Sequence, residues 1–97
     1  MAKGYWVAHV DVHDPEVYAE YRAANAKAFA EYGARFLVRG GDHEVAEGSA
    51  RSRTVVIEFP SYAEALACYA SESYRAAYAI REKVAQSDLV IVEGYDP

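Results

Sequence analysis

Phe36-Leu37-Val38-Arg39-Gly40-Gly41 and, beyond a polar turn, Val55-Val56-Ile57-Glu58-Phe59-Pro60-Ser61 are two apolar runs, each interrupted by a single charge. β-Branched and aromatic runs bounded by Gly, Pro and Ser read as strands. A charge inside such a strand costs several kcal/mol unless it is paired or faces a wet cavity. Arg39 and Glu58 therefore mark either a structural ion pair or the floor of a ligand pocket. A hairpin symmetric about its turn at residues 48–52 sets Arg39 close to opposite Glu58, where opposite charges attract across the ladder.

Working outward, residues 5–12 are rich in aromatic and β-branched side chains and read as strand one. Asp14-Pro15-Glu16 is a helix start: a capping side chain, proline at the first helical position and an acid in the first turn. Helix one runs to Tyr32 and stops at Gly33, with Tyr18, Tyr21, Asn25, Ala28, Phe29 and Tyr32 along one stripe. Strand two spans 34–47 with a bulge or bend at Gly40-Gly41, and strand three spans 53–59. Ser61-Tyr62-Ala63-Glu64 is a capping box that opens helix two. Ser71 breaks or re-caps that helix, which resumes to about residue 85. Strand four covers 88–94. The order β-α-β-β-α-β is the ferredoxin-like split βαβ pattern. It predicts one α+β domain over residues 1–97, with a four-stranded antiparallel sheet, strands one and three central, and both helices on one face.

Strand alternation sorts the faces. Trp6, Ala8, Val10, Val12, Phe36, Val38, Val55, Ile57, Phe59, Val90 and Val92 should meet the helices. The opposite face should carry His9, Asp11, Arg39, Glu58 and Glu93 among Val7, Leu37, Val56, Leu89 and Ile91. That face is too apolar for water and predicts a second subunit, since a chain of 97 residues buries a modest share of its surface alone. The net charge of −5 argues against nucleic acid and anionic membrane as partners. No apolar run approaches a membrane helix, and no signal-peptide pattern precedes strand one. The lone Cys68 excludes an internal disulfide framework. These features together predict a cytoplasmic setting, with Cys68 a buried filler.

Asp14-Pro15-Glu16, Tyr18, Tyr21, Gly33, Arg39-Gly40-Gly41, Glu58-Phe59-Pro60-Ser61, Tyr69, Ser71, Tyr74 and Arg81 together resemble the bacterial family called domain of unknown function 1330, over nearly the whole chain. The resemblance implies a dimeric α/β barrel, in which two ferredoxin-like sheets close on each other. It implies no established activity. The wider group includes cofactor-free monooxygenases, muconolactone isomerases and haem-degrading enzymes, so fold does not settle function.

Four constellations carry possible chemistry. His9, Asp11, Arg39 and Glu58 share one predicted face: a histidine beside carboxylates is a general base, and an arginine holds an anion. The competing reading is an interface ion-pair network. His9-x-Asp11-x-His13 presents metal-ligand types on one strand face, but three sequential ligands without a distal partner are a weak pattern, and no metal site is expected. Asn25, inside an aromatic stripe, must find a partner in backbone or ligand. Arg81 near Tyr74 and Tyr78 reads as an arginine lying over aromatic rings. The expectation is a homodimer, without cofactor, acting on or binding a small anionic or aromatic metabolite. His9 and Glu58 would be catalytic, and Asp11, Tyr18, Asn25 and Arg39 would bind the ligand. The alternative is a non-catalytic ligand-binding or regulatory dimer whose polar cluster is structural.

Overall fold

A computed structural model describes residues 2–97. The elements are β1 (Gly4–Val12), α1 (Pro15–Glu31), β2 (Arg35–Arg39), β3 (Arg53–Phe59), α2 (Tyr62–Ala70), α3 (Glu72–Arg81) and β4 (Ala85–Glu93). The strands form one antiparallel sheet in the order β2-β3-β1-β4, with β1 and β3 central. This is the ferredoxin-like α+β fold, its second helix divided into two.

The helix boundaries follow from side-chain caps. Asp14 accepts from the backbone N–H groups of Glu16 and Val17, each at 3.2 Å. Ser61 accepts from Glu64 N–H at 3.1 Å. The Ser71 hydroxyl donates to Cys68 O at 2.7 Å and accepts from Tyr74 N–H at 3.1 Å, closing α2 and opening α3 with one side chain. Each satisfies backbone groups a helix end leaves unpaired. Strand two is shorter than its pattern suggests: it ends at Arg39, because Gly40 takes φ +75° and turns the chain away from the ladder. Helix two ends at Arg81 rather than 85, and β4 begins at Ala85, earlier than expected, because it pairs with β1 back to Val12.

The helix-facing side of the sheet forms the core. The register places Phe36, Ile57, Trp6 and Ile91 in one row across all four strands. Trp6 is the hub. Its ring lies 4.9 Å from Tyr74, 5.2 Å from Phe59 and 5.3 Å from Phe29, and its indole N–H donates to Ala65 O at 2.9 Å. A buried indole needs such a partner. Helix α1 turns Tyr18, Tyr21, Asn25, Ala28 and Phe29 inward, the stripe its spacing predicts.

Two face assignments are corrected. Leu89 and Ile91 pack against the core on the helix side, Glu93 shares their parity and so leaves the outer face, and Val90 and Val92 point outward. A strand's parity is set by its partner, and β4 pairs Val7 with Val90. The second correction concerns Arg39. A register shift between Phe36 and Val38 leaves Leu37 as the extra residue, so Val38 pairs with Val56 and Arg39 with Val55. A bulge inverts the parity of everything beyond it. Arg39 thus lies on the helix side and not opposite Glu58, whose register partner in β2 is Arg35. The outer face carries a continuous valine row instead, Val38–Val56–Val7–Val90, one from each strand.

Candidate functional site: an arginine-lined cleft between helix α1 and the sheet

The bulge in β2 delivers Arg39 to the gap between α1 and the sheet. There its guanidinium lies 4.1 Å from the Phe36 ring centroid. Arg53, on the same face at the start of β3, lies beside Tyr18, its Cζ 5.9 Å from that ring's centroid. Arg39, Arg53, Arg22, Asn25, Tyr18 and Phe36 bound a small cavity of about 30 Å³, the volume of one or two waters. A second cavity of similar volume shares Tyr18, Tyr21, Val55 and Ile57 as a wall and extends to Trp6, Tyr74, Leu89 and Arg81.

The electrostatics of this region are one-sided. No Asp or Glu borders either cavity. Among the described residues Arg39, Arg53 and Arg81 form no ion pair, although the chain as a whole is acidic. Arg81 is 8 % exposed and its Nε has no hydrogen-bond partner; Arg53 Nε is likewise buried and unpartnered. Asn25 is 3 % exposed, and its Oδ1 is a buried acceptor with no donor. Buried polar groups are nearly always satisfied, and the exceptions need an explanation. Burial pushes the Tyr18 phenol above its ordinary range, Tyr21 adds to that, and Arg53 and Arg81 partly oppose it. Tyr74, whose hydroxyl is 2.9 Å from that of Tyr21, is raised further by burial. Both phenols are neutral donors and acceptors near neutral pH.

The residues expected to form one site are divided by the sheet. Tyr18, Asn25 and Arg39 come together in the cleft. His9, Asp11 and Glu58 lie on the outer face and do not meet Arg39. His9 Nδ1 is 3.2 Å from Thr54 Oγ1, which is also 3.0 Å from His43 Nδ1, and both histidines border an open concavity beneath residues 43–50. Asp11 anchors the end of the β2–β3 connection. Its carboxylate accepts from Ser52 N–H at 2.9 Å, Ser52 Oγ at 3.0 Å and Arg51 at 3.0 Å. Those bonds, the Ser52 amide first, hold its carboxyl below the usual range. Among the described residues no three His, Cys, Asp or Glu side chains are grouped to hold a metal ion. Arg53 and Arg22 were not anticipated as site residues. The signal for Arg53 was present: it shares strand parity with Val55, Ile57 and Phe59, all buried.

The family model for a domain of unknown function, DUF1330, matches residues 3–95, and the chain belongs to that family. No curated protein matches it. Among solved structures it is similar to a protein of unknown function from Rhodopseudomonas palustris, at 18 % identity and a TM-score of 0.76, covering 99 % of this chain and 85 % of that one. It is also similar to SnoaB, a cofactor-independent oxygenase from Streptomyces nogalater, at 13 % identity and a TM-score of 0.66, covering 100 % and 97 %. A dimeric ferredoxin-like protein of unknown function from Thermobifida fusca matches at 19 % identity and a TM-score of 0.60, covering 95 % and 89 %. At these identities the likeness is one of fold. Among the described residues no helix is long and apolar enough to cross a membrane.

Proposed function

We propose that this protein is a homodimer that binds a small anionic metabolite at the mouth of the cleft between α1 and the sheet, its anionic group in the small cavity and its apolar or aromatic body outside it. The observation that carries the reading is the group of Arg39, Arg53 and Asn25: cationic donors and an orphaned acceptor, with no carboxylate among them. Arg39 and Arg53 would hold a carboxylate or similar group through charge-assisted hydrogen bonds. Asn25 Oδ1 would accept from a hydroxyl or N–H beside that group, and the partly exposed Phe36 ring would flank the body. A cationic pocket inside an acidic protein selects anions by local field rather than by net charge.

The likeness to a cofactor-independent oxygenase supports an enzyme of that type. The cleft itself contains arginine, tyrosine and asparagine but no His, Asp or Glu. That composition favours binding and orientation, so a non-catalytic ligand-binding dimer is the second reading. Under either reading the valine row on the outer face, with Val38 39 % and Val90 59 % exposed, is covered by a second copy. The dimeric relative supports that occupant.

The test is a thermal-shift titration of untagged protein with small aliphatic and aromatic carboxylates, joined to native mass spectrometry. A saturable shift that Arg53→Met abolishes, on a protein of dimer mass, is the expected result. No shift with any carboxylate, and a bare mass, would overturn the binding reading. Turnover of a bound compound, followed by loss of substrate and oxygen uptake, separates enzyme from binder.

A further inference from the structure

We infer that His9 and His43, joined through the Thr54 hydroxyl, form a second site on the outer face of the sheet, a proton relay that interconverts the keto and enol forms of a small uncharged carbonyl compound. The site is separate from the arginine-lined cleft and does not depend on it. Each imidazole reaches the same oxygen through Nδ1, His9 at 3.2 Å and His43 at 3.0 Å. His9 and Thr54 are register partners on β1 and β3, and the β2–β3 connection brings His43 to them. That connection is fixed at its far end, where Ser52 and Arg51 bond Asp11. Among the described residues neither imidazole Nε2 has a hydrogen-bond partner. Anchoring the connection accounts for His43 on Thr54, but not for a second imidazole on the same oxygen.

The Thr54 hydroxyl has one proton to donate and also accepts. Using both capacities, it donates to one Nδ1 and accepts from the N–H of the other. The ring that donates to Thr54 then has a bare Nε2, a base, and the other ring has an Nε2–H, an acid. The bare Nε2 takes a proton from the carbon beside a carbonyl. Its ring passes its Nδ1 proton to Thr54 Oγ1 while the hydroxyl proton moves to the second Nδ1. The second ring's Nε2–H protonates the carbonyl oxygen. The C–H electron pair becomes the C=C bond, the C=O π pair takes the proton, and nothing is oxidised or reduced. The reverse passage restores both rings. Both histidines border a concavity of about 430 Å³, large enough for a small ligand. Val45 and Ala50 give it an apolar wall, and Glu44 and Glu47 are its charged residues; among the described residues no Lys or Arg borders it. That field disfavours anions, and a relay that moves no net charge suits an uncharged substrate. Val7 and Val56 of the valine row are the next residues on the same face along β1 and β3, so a second copy seated there would shelter the relay from bulk water.

The experiment dilutes enol-rich pentane-2,4-dione from an apolar solvent into full-length protein and follows the loss of enol absorbance. The expected result is ketonisation about tenfold or more faster than with free imidazole at equal histidine concentration. His43→Gln, on an exposed connection, should abolish the acceleration with little change in Tm, and His9→Gln should do the same. Thr54→Val keeps both imidazoles and severs the link, so it should also abolish the acceleration, while Thr54→Ser should retain it. Wild-type protein no faster than free imidazole would overturn the inference. A folded Thr54→Val or His43→Gln protein as fast as wild type would overturn it equally.

Discussion

The guanidinium of Arg53 lies directly against Gly40, in space that any Cβ at position 40 would occupy. Gly40 has φ +75°, and its N–H donates to Thr54 O at 2.8 Å, so the close approach is built into the end of the β2–β3 ladder. The Arg-Gly-Gly segment thus serves the site twice: Arg39 enters the cleft, and Gly40 leaves room for Arg53 to lie beside it. Gly40→Ala must adopt a left-handed conformation and displace Arg53. Destabilisation of about 1–3 kcal/mol is expected from the strained backbone, a loss of roughly 4–8 °C in Tm per kcal/mol for a domain of this size. Carboxylate affinity should fall with it. A variant with wild-type Tm and wild-type affinity would show that Arg53 does not depend on this contact.

Asp11 sets a pH dependence of stability whose sign follows from its bonds. Ser52 N–H, Ser52 Oγ and Arg51 all favour the charged carboxylate and hold it below its ordinary value of 3.8. A group depressed on folding contributes stability that is complete above its unfolded value and lost as pH falls through its folded value. Arg51 also bonds Asp88 at 3.0 Å and Gln86 at 3.3 Å, so the clamp ties the β2–β3 connection across β1 to β4. The Tm difference between wild type and Asp11→Asn should be greatest near about pH 6 and shrink towards about pH 3. A difference that stays constant over that range would refute the linkage.

The division of Asp11 from Arg39 shows where the sequence stops being readable. Element order, the three caps at Asp14, Ser61 and Ser71, and the α1 stripe all rest on local signals, and each is present in the fold. Sheet parity does not rest on a local signal. Leu37 bulges out of β2 although Gly40-Gly41, a few residues on, is the visible irregularity, and one extra residue moves Arg39 through the sheet. The same weakness misplaced Leu89 and Ile91, because Val-Ile-Val alternation in an edge strand is apolar on both sides. Tyr18 and Asn25 were legible as inward-facing residues because helical spacing survives such shifts. Arg53 escaped notice because a charge at a strand end looks solvated until its neighbour is seen to be glycine.

Cys68 should be chemically silent. It is fully buried, and its thiol approaches Ala28 O at 3.8 Å. Burial, with smaller contributions from Glu31 and Glu64, pushes the thiol up to about 12, so the reactive thiolate is scarce near neutral pH. A disulfide reagent at about pH 8 should leave the native protein unmodified and react with one thiol per chain after unfolding in guanidinium. Rapid native-state labelling would mean that α1 and α2 open locally. Cys68→Ser should cost about 1–3 kcal/mol, the penalty of placing a hydroxyl in an apolar site.

The valine row gives the most direct test of assembly. Val38, Val56, Val7 and Val90 are register partners across four strands, so they form one flat apolar band on the face that carries no helix. Val90 is the most exposed of the outward valines, at 59 %, and lies on an edge strand, so a glutamate there meets water in the single chain and leaves its fold intact. In a dimer closed across that face the same glutamate is buried without a partner, which costs several kcal/mol for each copy. Val90→Glu should shift the protein from dimer to monomer in sedimentation equilibrium while its Tm, extrapolated to low concentration, stays near that of the wild-type monomer. Cleft residues Arg39, Arg53 and Asn25 lie on the other face, so carboxylate binding by the monomeric variant would show that the site is complete within one chain. A Val90→Glu protein that remains a dimer would place the subunit contact elsewhere, on the helices or around Tyr95, which is 90 % exposed.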